Sequence, residues 1–309
     1  MNRITSTDKS RERIAAVGMW DGVHLGHKYL IDYLRVEASY RGLTPSVITF
    51  DRHPLNVVRP LEAPGLISSL ERRLSLLENA GVEDVILLTF NEKMRRMSAR
   101  DFLKKLRKEY GVKTLVVGFN NRFGHDCKDG LEQYKAMAKE LDMDVLEAPE
   151  YKGKNSPISS SIIRKLLGEG KIPEANEKLG YEFTMRGEVT EGNQVGRTMG
   201  FPTANLKLDD DAAILPMNGV YAVKVKTPDG ETRSGVVNIG FRPTVDEQAG
   251  GKVSIEVHII DFKGYLYGEE IELQFVEYIR PEKKFNSLDK LRSRIESDVK
   301  ACKSILSKL

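Results

Sequence analysis

Cysteine is almost missing from this chain. Two occur among 309 residues, Cys127 and Cys302, too few and too far apart for a disulfide framework or a cysteine-rich metal site. Long apolar runs are missing as well. The longest aliphatic stretch, residues 85–90, is far too short to cross a bilayer, and residues 1–13 are polar and charged, without the apolar centre of a signal peptide. Nor does one sign of charge dominate: 48 basic residues against 45 acidic ones leave +3, with the signs interspersed. That balance argues against nucleic acid as the main ligand, while a local anion pocket stays compatible with it. No GxxxxGK[ST] string is present, so no nucleotide is held by a Walker loop. Internal repeats and low-complexity tracts are absent. The expectation is a soluble, cytoplasmic protein with small-molecule partners, no nucleic acid and no membrane.

What is present has two halves. A chain of 309 residues is near the upper limit for one core, which favours two domains. Up to about Gly180, aliphatic runs at 14–19, 46–50, 84–90 and 113–119 read as buried strands, separated by segments of helical period. One helix is predicted to start at Ser68 with a Ser68/Glu71 capping box, carry Leu70, Leu74 and Leu77 on one face, and end at Gly81; another starts at Ser98, with Asp101 three residues on. This alternation predicts a parallel sheet covered by helices, with ligands beyond the carboxyl ends of its strands. Beyond Tyr181 the period changes to two, with strands at 183–189, 221–227, 234–239, 254–260 and 270–276 and a hairpin turn at Asp229-Gly230. Five or six antiparallel strands in so short a span predict a compact barrel. A last helix spaces Leu288, Leu291, Ile295, Val299, Cys302 and Leu306 three or four apart, which makes Cys302 a core residue. The domains are accordingly 1–182 and 183–309.

Two motifs carry chemistry. Gly18-Met19-Trp20-Asp21-Gly22-Val23-His24-Leu25-Gly26-His27 follows a strand and leads into a helix with Leu30, Leu34 and Ala38 on one face. That places His24 and His27 near a helix N-terminus, where free N–H groups attract phosphate, and Gly26 lets the backbone come close. The imidazoles would donate to oxygens that gain charge as pyrophosphate leaves. A metal site would need further ligands, for which only His53 and Asp21 are near. In the second half, Gly196-Arg197-Thr198-Met199-Gly200-Phe201-Pro202-Thr203-Ala204-Asn205 joins a glycine-punctuated loop to Thr203 and Asn205, two oxygen ligands on one face of an extended segment. Such ligands suit magnesium. Taken alone, the string also reads as a turn entering a strand.

The first half resembles the adenylyltransferase domain of the bacterial bifunctional riboflavin kinase/FAD synthetase family, through His24 to His27, Thr49-Phe50-Asp51-Arg52-His53-Pro54, Gly118-Phe119-Asn120-Asn121-Arg122-Phe123-Gly124, and Ile158-Ser159-Ser160-Ser161-Ile162-Ile163-Arg164. The second half is similar to riboflavin kinases through Gly200 to Asn205, Val237-Asn238-Ile239-Gly240, Ile255-Glu256-Val257-His258 and Tyr278-Ile279-Arg280-Pro281-Glu282-Lys283-Lys284-Phe285. The resemblance implies an α/β nucleotidyltransferase domain of the HxGH type, Rossmann-like, followed by an antiparallel β-barrel kinase domain with a C-terminal helix. By the same resemblance, His24, His27 and Arg164 serve adenylyl transfer. ATP is bound there by Gly22, Gly26, Asn120, Ser159, Ser160 and Ser161, and in the barrel by Gly196, Arg197, Gly200 and Pro202. Thr203 and Asn205 hold Mg2+, Glu256 is the catalytic base, and Arg280 and Phe285 face the flavin. The family often carries Asp-Phe where this chain has Asn120-Asn121, and a threonine in place of Ser161. Without the family, Ser159–161 would be helix caps and Glu256 and His258 exposed strand residues. A kinase with a silent first domain, and a flavin-binding regulator without turnover, are the alternatives.

Overall fold

The computed structural model describes residues 1–118, 123–126, 130–151, 153, 157–191, 200–210, 212–242 and 252–308. The chain forms two compact units, Met1–Ser160 and Ser161–Leu309.

In the first unit the elements are β1 (Asn2–Ile4), β2 (Arg13–Val17), α1 (Leu25–Arg41), β3 (Thr44–Phe50), α2 (Leu55–Val58), α3 (Leu70–Asn79), β4 (Asp84–Leu88), α4 (Glu92–Arg95), α5 (Ala99–Tyr110), β5 (Val112–Val117), α6 (Leu131–Lys139) and β6 (Asp144–Glu147). The six strands lie in the order β1-β4-β3-β2-β5-β6 and every pair is parallel, as the unbroken apolar runs predict. From β2 the chain builds outward through β3 and β4 on one side, then returns to place β5 on the other. The loops after β2 and β5 therefore flank the point where the strand order reverses, the usual ligand crevice of such sheets. Ile14, Ala15 and Ala16 of β2 and Leu115 and Val116 of β5 are fully buried.

One cap differs from expectation. Ser69, not Ser68, is the N-cap of α3, its hydroxyl accepting from the Arg72 amide at 3.3 Å. Ser68 is buried and turned toward Asp21 instead. Ser98 caps α5 as predicted.

The second unit contains most of α7 (Ser160–Gly168), then α8 (Ile172–Leu179) and the strands β7 (Thr184–Thr190), β8 (Ala204–Leu208), β9 (Gly219–Lys226), β10 (Thr232–Arg242), β11 (Lys252–Ile259) and β12 (Glu270–Arg280), closed by α9 (Leu288–Leu306). The strands form a closed barrel in the order β10-β11-β8-β7-β12-β9, closing the sheet on itself. Alternate residues divide between two faces. Tyr221, Val223, Val225, Val237, Ile239, Val257, Leu273 and Phe275 are buried in the barrel. Val220, Ala222 and Val236 cluster on the other face with Ile260, Cys302, Val299, Ile305 and Leu306, under α9. Cys302 is fully buried, its thiol 3.2 Å from the Gly235 carbonyl, and burial pushes its pKa up to about 11. Leu288 departs from the predicted apolar face: as the first residue of α9 it is exposed.

Candidate active sites

The first site grows out of β2. Gly18 donates to the Ile48 carbonyl, and the Trp20 indole, 1% exposed, donates to the same oxygen at 3.0 Å. The chain then turns through positive φ at Trp20 (55°), Gly22 (77°) and Val23 (34°) before His24 becomes the N-cap of α1. His24 Nδ1 accepts from the His27 amide at 3.2 Å. That bond needs the lone pair on Nδ1, which leaves Nε2 as the protonated, donating nitrogen. Gly26 makes room for this ring: a Cβ there would stand 3.3 Å from His24 Cε1 and Nδ1.

The His27 imidazole stacks on His24 with centroids 3.6 Å apart and planes at 13°, and the Trp20 ring lies 5.2 Å away. Among the described residues its Nδ1 is buried without a hydrogen-bond partner. Burial, and secondarily the nearby His24, hold the His27 pKa well below the ordinary imidazole value. Two stacked imidazoles beside the amino end of a helix make an arrangement suited to phosphate oxygens.

Beside this loop lies a cavity of about 750 Å³. Gly18 and Met19 form one side, and Phe50, Phe90, Met94 and Phe123 supply aromatic and thioether surface. Phe50 meets Phe90 edge-on at 5.3 Å, while Phe123 stacks on Tyr134 at 4.0 Å. A flat apolar ring system fits such a lining. Sequence reasoning missed this cavity, because its walls come from four separate segments with no local pattern.

Ser160 donates its hydroxyl proton to the Asp21 carbonyl at 3.0 Å. Ser159 is half-buried; Ser161, exposed, and Arg164, half-buried, lie on α7 in the second unit. Asn120 and Asn121, like Gly196, Arg197 and Cys127, lie outside the described residues.

The second site is a rung across the barrel. Asn205 on β8 stands opposite Glu256 on β11, Glu256 opposite Asn238 on β10, Asn238 opposite Val220 on β9, and Val220 opposite Arg280 on β12. Directly opposed residues share a face, so Asn205, Glu256, Asn238 and Arg280 lie on the face that α9 partly covers. Asn238 donates to Glu282 at 3.1 Å, and Gly240 leaves the space this carboxylate uses: a Cβ there would fall 2.2 Å from Glu282 Oε1.

Arg280 is held by Asp298 of α9. Its Nε donates to both carboxylate oxygens at 3.0 Å and its Nη2 to one at 2.7 Å, with the Phe285 ring 5.9 Å from the guanidinium. Gly200 turns at a φ of 86°. His258 Nδ1 then pins the following turn through the Pro202 carbonyl at 2.9 Å, and its ring meets Phe201 edge-on. His258, read from sequence as a plain strand residue, is thus a support for the segment that ends in Thr203. A cavity of about 440 Å³ is lined by Pro202, Thr203, Val257, Phe262, Tyr265 and Tyr267, among others.

Thr203 and Asn205 share parity on an extended segment, and the register sets the Glu256 carboxylate opposite Asn205. This all-oxygen set fits an ion that takes its remaining ligands from water and phosphate. Among the described residues no three His, Cys, Asp or Glu side chains gather into a protein-only metal cage.

Comparison with known proteins agrees with this two-site arrangement. The FAD synthetase family model matches residues 6–162, and the riboflavin kinase model matches residues 179–306. Proteins named bifunctional riboflavin kinase/FMN adenylyltransferase are similar over nearly the whole chain. The one from Listeria monocytogenes is 35% identical, covering 96% of this chain and 93% of that protein. The Bacillus subtilis protein is 36% identical over 94% and 92%, and that of Escherichia coli K12 is 34% identical over 92% and 90%. A Streptococcus pneumoniae crystal structure, described as a macrolide-efflux protein, has the same fold, with a TM-score of 0.86 and 30% identity over 97% of this chain and 98% of that one. That description belongs to that protein; among the described residues here, no helix is long and apolar enough to cross a membrane. With both family models in sequence and such identity over its length, the chain belongs to the bifunctional riboflavin kinase/FMN adenylyltransferase family.

Proposed function

We propose that this chain makes flavin cofactors in two steps: riboflavin and ATP become FMN and ADP at the barrel, and FMN and ATP become FAD and pyrophosphate at the first site. The observation that carries this reading is a chemical asymmetry. The barrel rung contains a carboxylate, Glu256, opposite an amide on either side, whereas the β2–α1 loop presents two stacked imidazoles at a helix start.

The asymmetry matches what each step needs. In the kinase step the attacking group is a neutral alcohol, whose proton must be accepted as it attacks the terminal phosphate; Glu256 is assigned that role. Thr203 and Asn205 would hold Mg2+, which supplies charge compensation on the phosphates when bound. Gly196, Arg197, Gly200 and Pro202 are assigned to ATP. Arg280 and Phe285 border the flavin, with Arg280 oriented by Asp298.

In the adenylyl step the nucleophile is the FMN phosphate, whose second pKa of about 6 leaves it anionic at neutral pH. No base is needed. His24 and His27 are assigned to the charge that develops on the α-phosphate and pyrophosphate, with Gly22, Gly26, Asn120, Ser159, Ser161 and Arg164 binding the nucleotide. Ser160 is assigned to the nucleotide with them, its hydroxyl also donating to the Asp21 carbonyl. The aromatic cavity would hold the isoalloxazine ring. The activities are allotted to residues 1–182 and 183–309, in the cytoplasm.

Chromatographic separation of flavins after incubation with magnesium, ATP and either riboflavin or FMN tests this directly. FAD from both mixtures is expected. FMN as the sole product, with added FMN unchanged, would leave a kinase alone; no conversion at all would mean a flavin-binding protein. Glu256→Gln should abolish FMN formation and spare conversion of FMN to FAD, while His27→Ala should do the reverse.

A further inference from the structure

The loop that carries His24 is strained. Trp20 and Val23 sit at positive φ, at 55° and 34°, and for a β-branched residue that conformation persists only where the surroundings over-determine it. What over-determines it is Asp21. Its carboxylate, 1% exposed, accepts from the Ile67 amide at 3.1 Å, the Ser68 amide at 3.0 Å and the Ser68 hydroxyl at 3.3 Å. The Ser68 hydroxyl in turn accepts from the Gly22 amide at 3.0 Å, and the Asp21 carbonyl accepts from Ser160 at 3.0 Å. One buried acid thus ties the loop to the segment before α3, with both chain directions of the turn secured. His24 follows three residues later, so the network sets where both imidazoles and the amino end of α1 point.

We propose that Asp21, acting through Ser68, is a positioning residue for adenylyl transfer, holding the strained turn so that His24 and His27 stand ready before the triphosphate arrives. Ser160 belongs to the same scaffold. This inference rests on the reading of the first site given above. Its chemical basis is preorganisation: donors placed before reaction need no rearrangement in the transition state, and a displacement of about 1 Å costs roughly 100-fold in rate.

The test uses the full chain, with three variants and two internal controls. Ser68→Ala removes the bridge between Asp21 and Gly22. It should lower kcat for FMN-to-FAD conversion by roughly 10- to 100-fold while KM for FMN and ATP stays within about threefold. Asp21→Asn puts an amide donor against backbone donors and should lower kcat at least as much. Because the residues act as one network, the double variant should lose no more than Asp21→Asn alone.

Trp20 is the chain's single tryptophan, so its emission reports whether the first unit is folded; riboflavin phosphorylation, at the other site, should not change. Should Asp21→Asn fail to fold, Ser68→Ala still decides. Wild-type kcat in Ser68→Ala, a loss confined to KM, or additive losses in the double variant would overturn the proposal. A wild-type chain that makes no FAD would overturn the reading of the site itself, and the positioning role with it.

Discussion

Acidification below about pH 6.5 should selectively weaken the first unit through His27. In the unfolded chain this imidazole takes up a proton near its ordinary pKa of about 6.5. In the folded unit it is buried, stacked on His24 and held well below that value. The unfolded state therefore binds more protons under acid conditions, so the contribution of neutral His27 is complete above pH 6.5 and is lost as the pH falls. The slope is about 1.4 kcal/mol per pH unit while the native ring stays neutral.

His27→Gln cannot titrate, so the stability difference between wild type and variant should shift by about 1 kcal/mol between pH 6.5 and 5.5, the unfolded ring being already half protonated at the upper value. The measurement is urea unfolding followed by Trp20 emission, a local probe 5.2 Å from the His27 ring. With a urea slope of about 1–3 kcal/mol/M, the midpoint difference should move by roughly 0.3–1 M. His53, His125 and His258 are present in both proteins and cancel in the difference. Parallel pH profiles for the two proteins would refute the claim that His27 is kept neutral by its surroundings.

Three further outcomes follow from the geometry. Asp298→Asn takes the charge from a buried carboxylate that anchors Arg280 and also pairs with Arg294 at 3.2 Å; it should destabilise the barrel unit by about 3 kcal/mol and raise KM for riboflavin more than it lowers kcat, checked by thermal unfolding and steady-state kinetics. Phe50→Ala and Phe90→Ala, which open the wall of the aromatic cavity, should each raise KM for FMN in FAD formation by about tenfold, with riboflavin phosphorylation untouched; an unchanged KM would place the flavin elsewhere. Chelation with EDTA should stop both conversions and added Mg2+ should restore them, as read by flavin chromatography.

Much of this protein was legible in the sequence. The change from helix-strand alternation to period-two strands at Tyr181 separated a parallel sheet from a closed barrel, because side-chain periodicity reports directly which face of each element is buried. The His24–His27 spacing, the Ser98 cap and the burial of Cys302 followed from local rules of the same kind. The capping box at Ser68 did not hold, because a buried carboxylate 47 residues earlier in the chain competes for that hydroxyl and the cap falls to Ser69. Leu288 matched the apolar period of α9, yet the helix begins there and the side chain is exposed.

Sequence alone determined most of the elements, though not the edge strands β1 and β6, together with the two domain classes and the residue types able to handle phosphate. Tertiary structure decided which of those residues meet. The rung of Asn205, Glu256, Asn238 and Arg280 exists only because five strands pair in one register. The aromatic cavity needs walls from strands, helices and loops far apart in the chain, and the Asp21 network likewise spans distant segments. The physical reason is range: helical and strand periods come from neighbours a few residues away, while a site is made by contacts whose partners are chosen by strand register and burial, which no local pattern encodes.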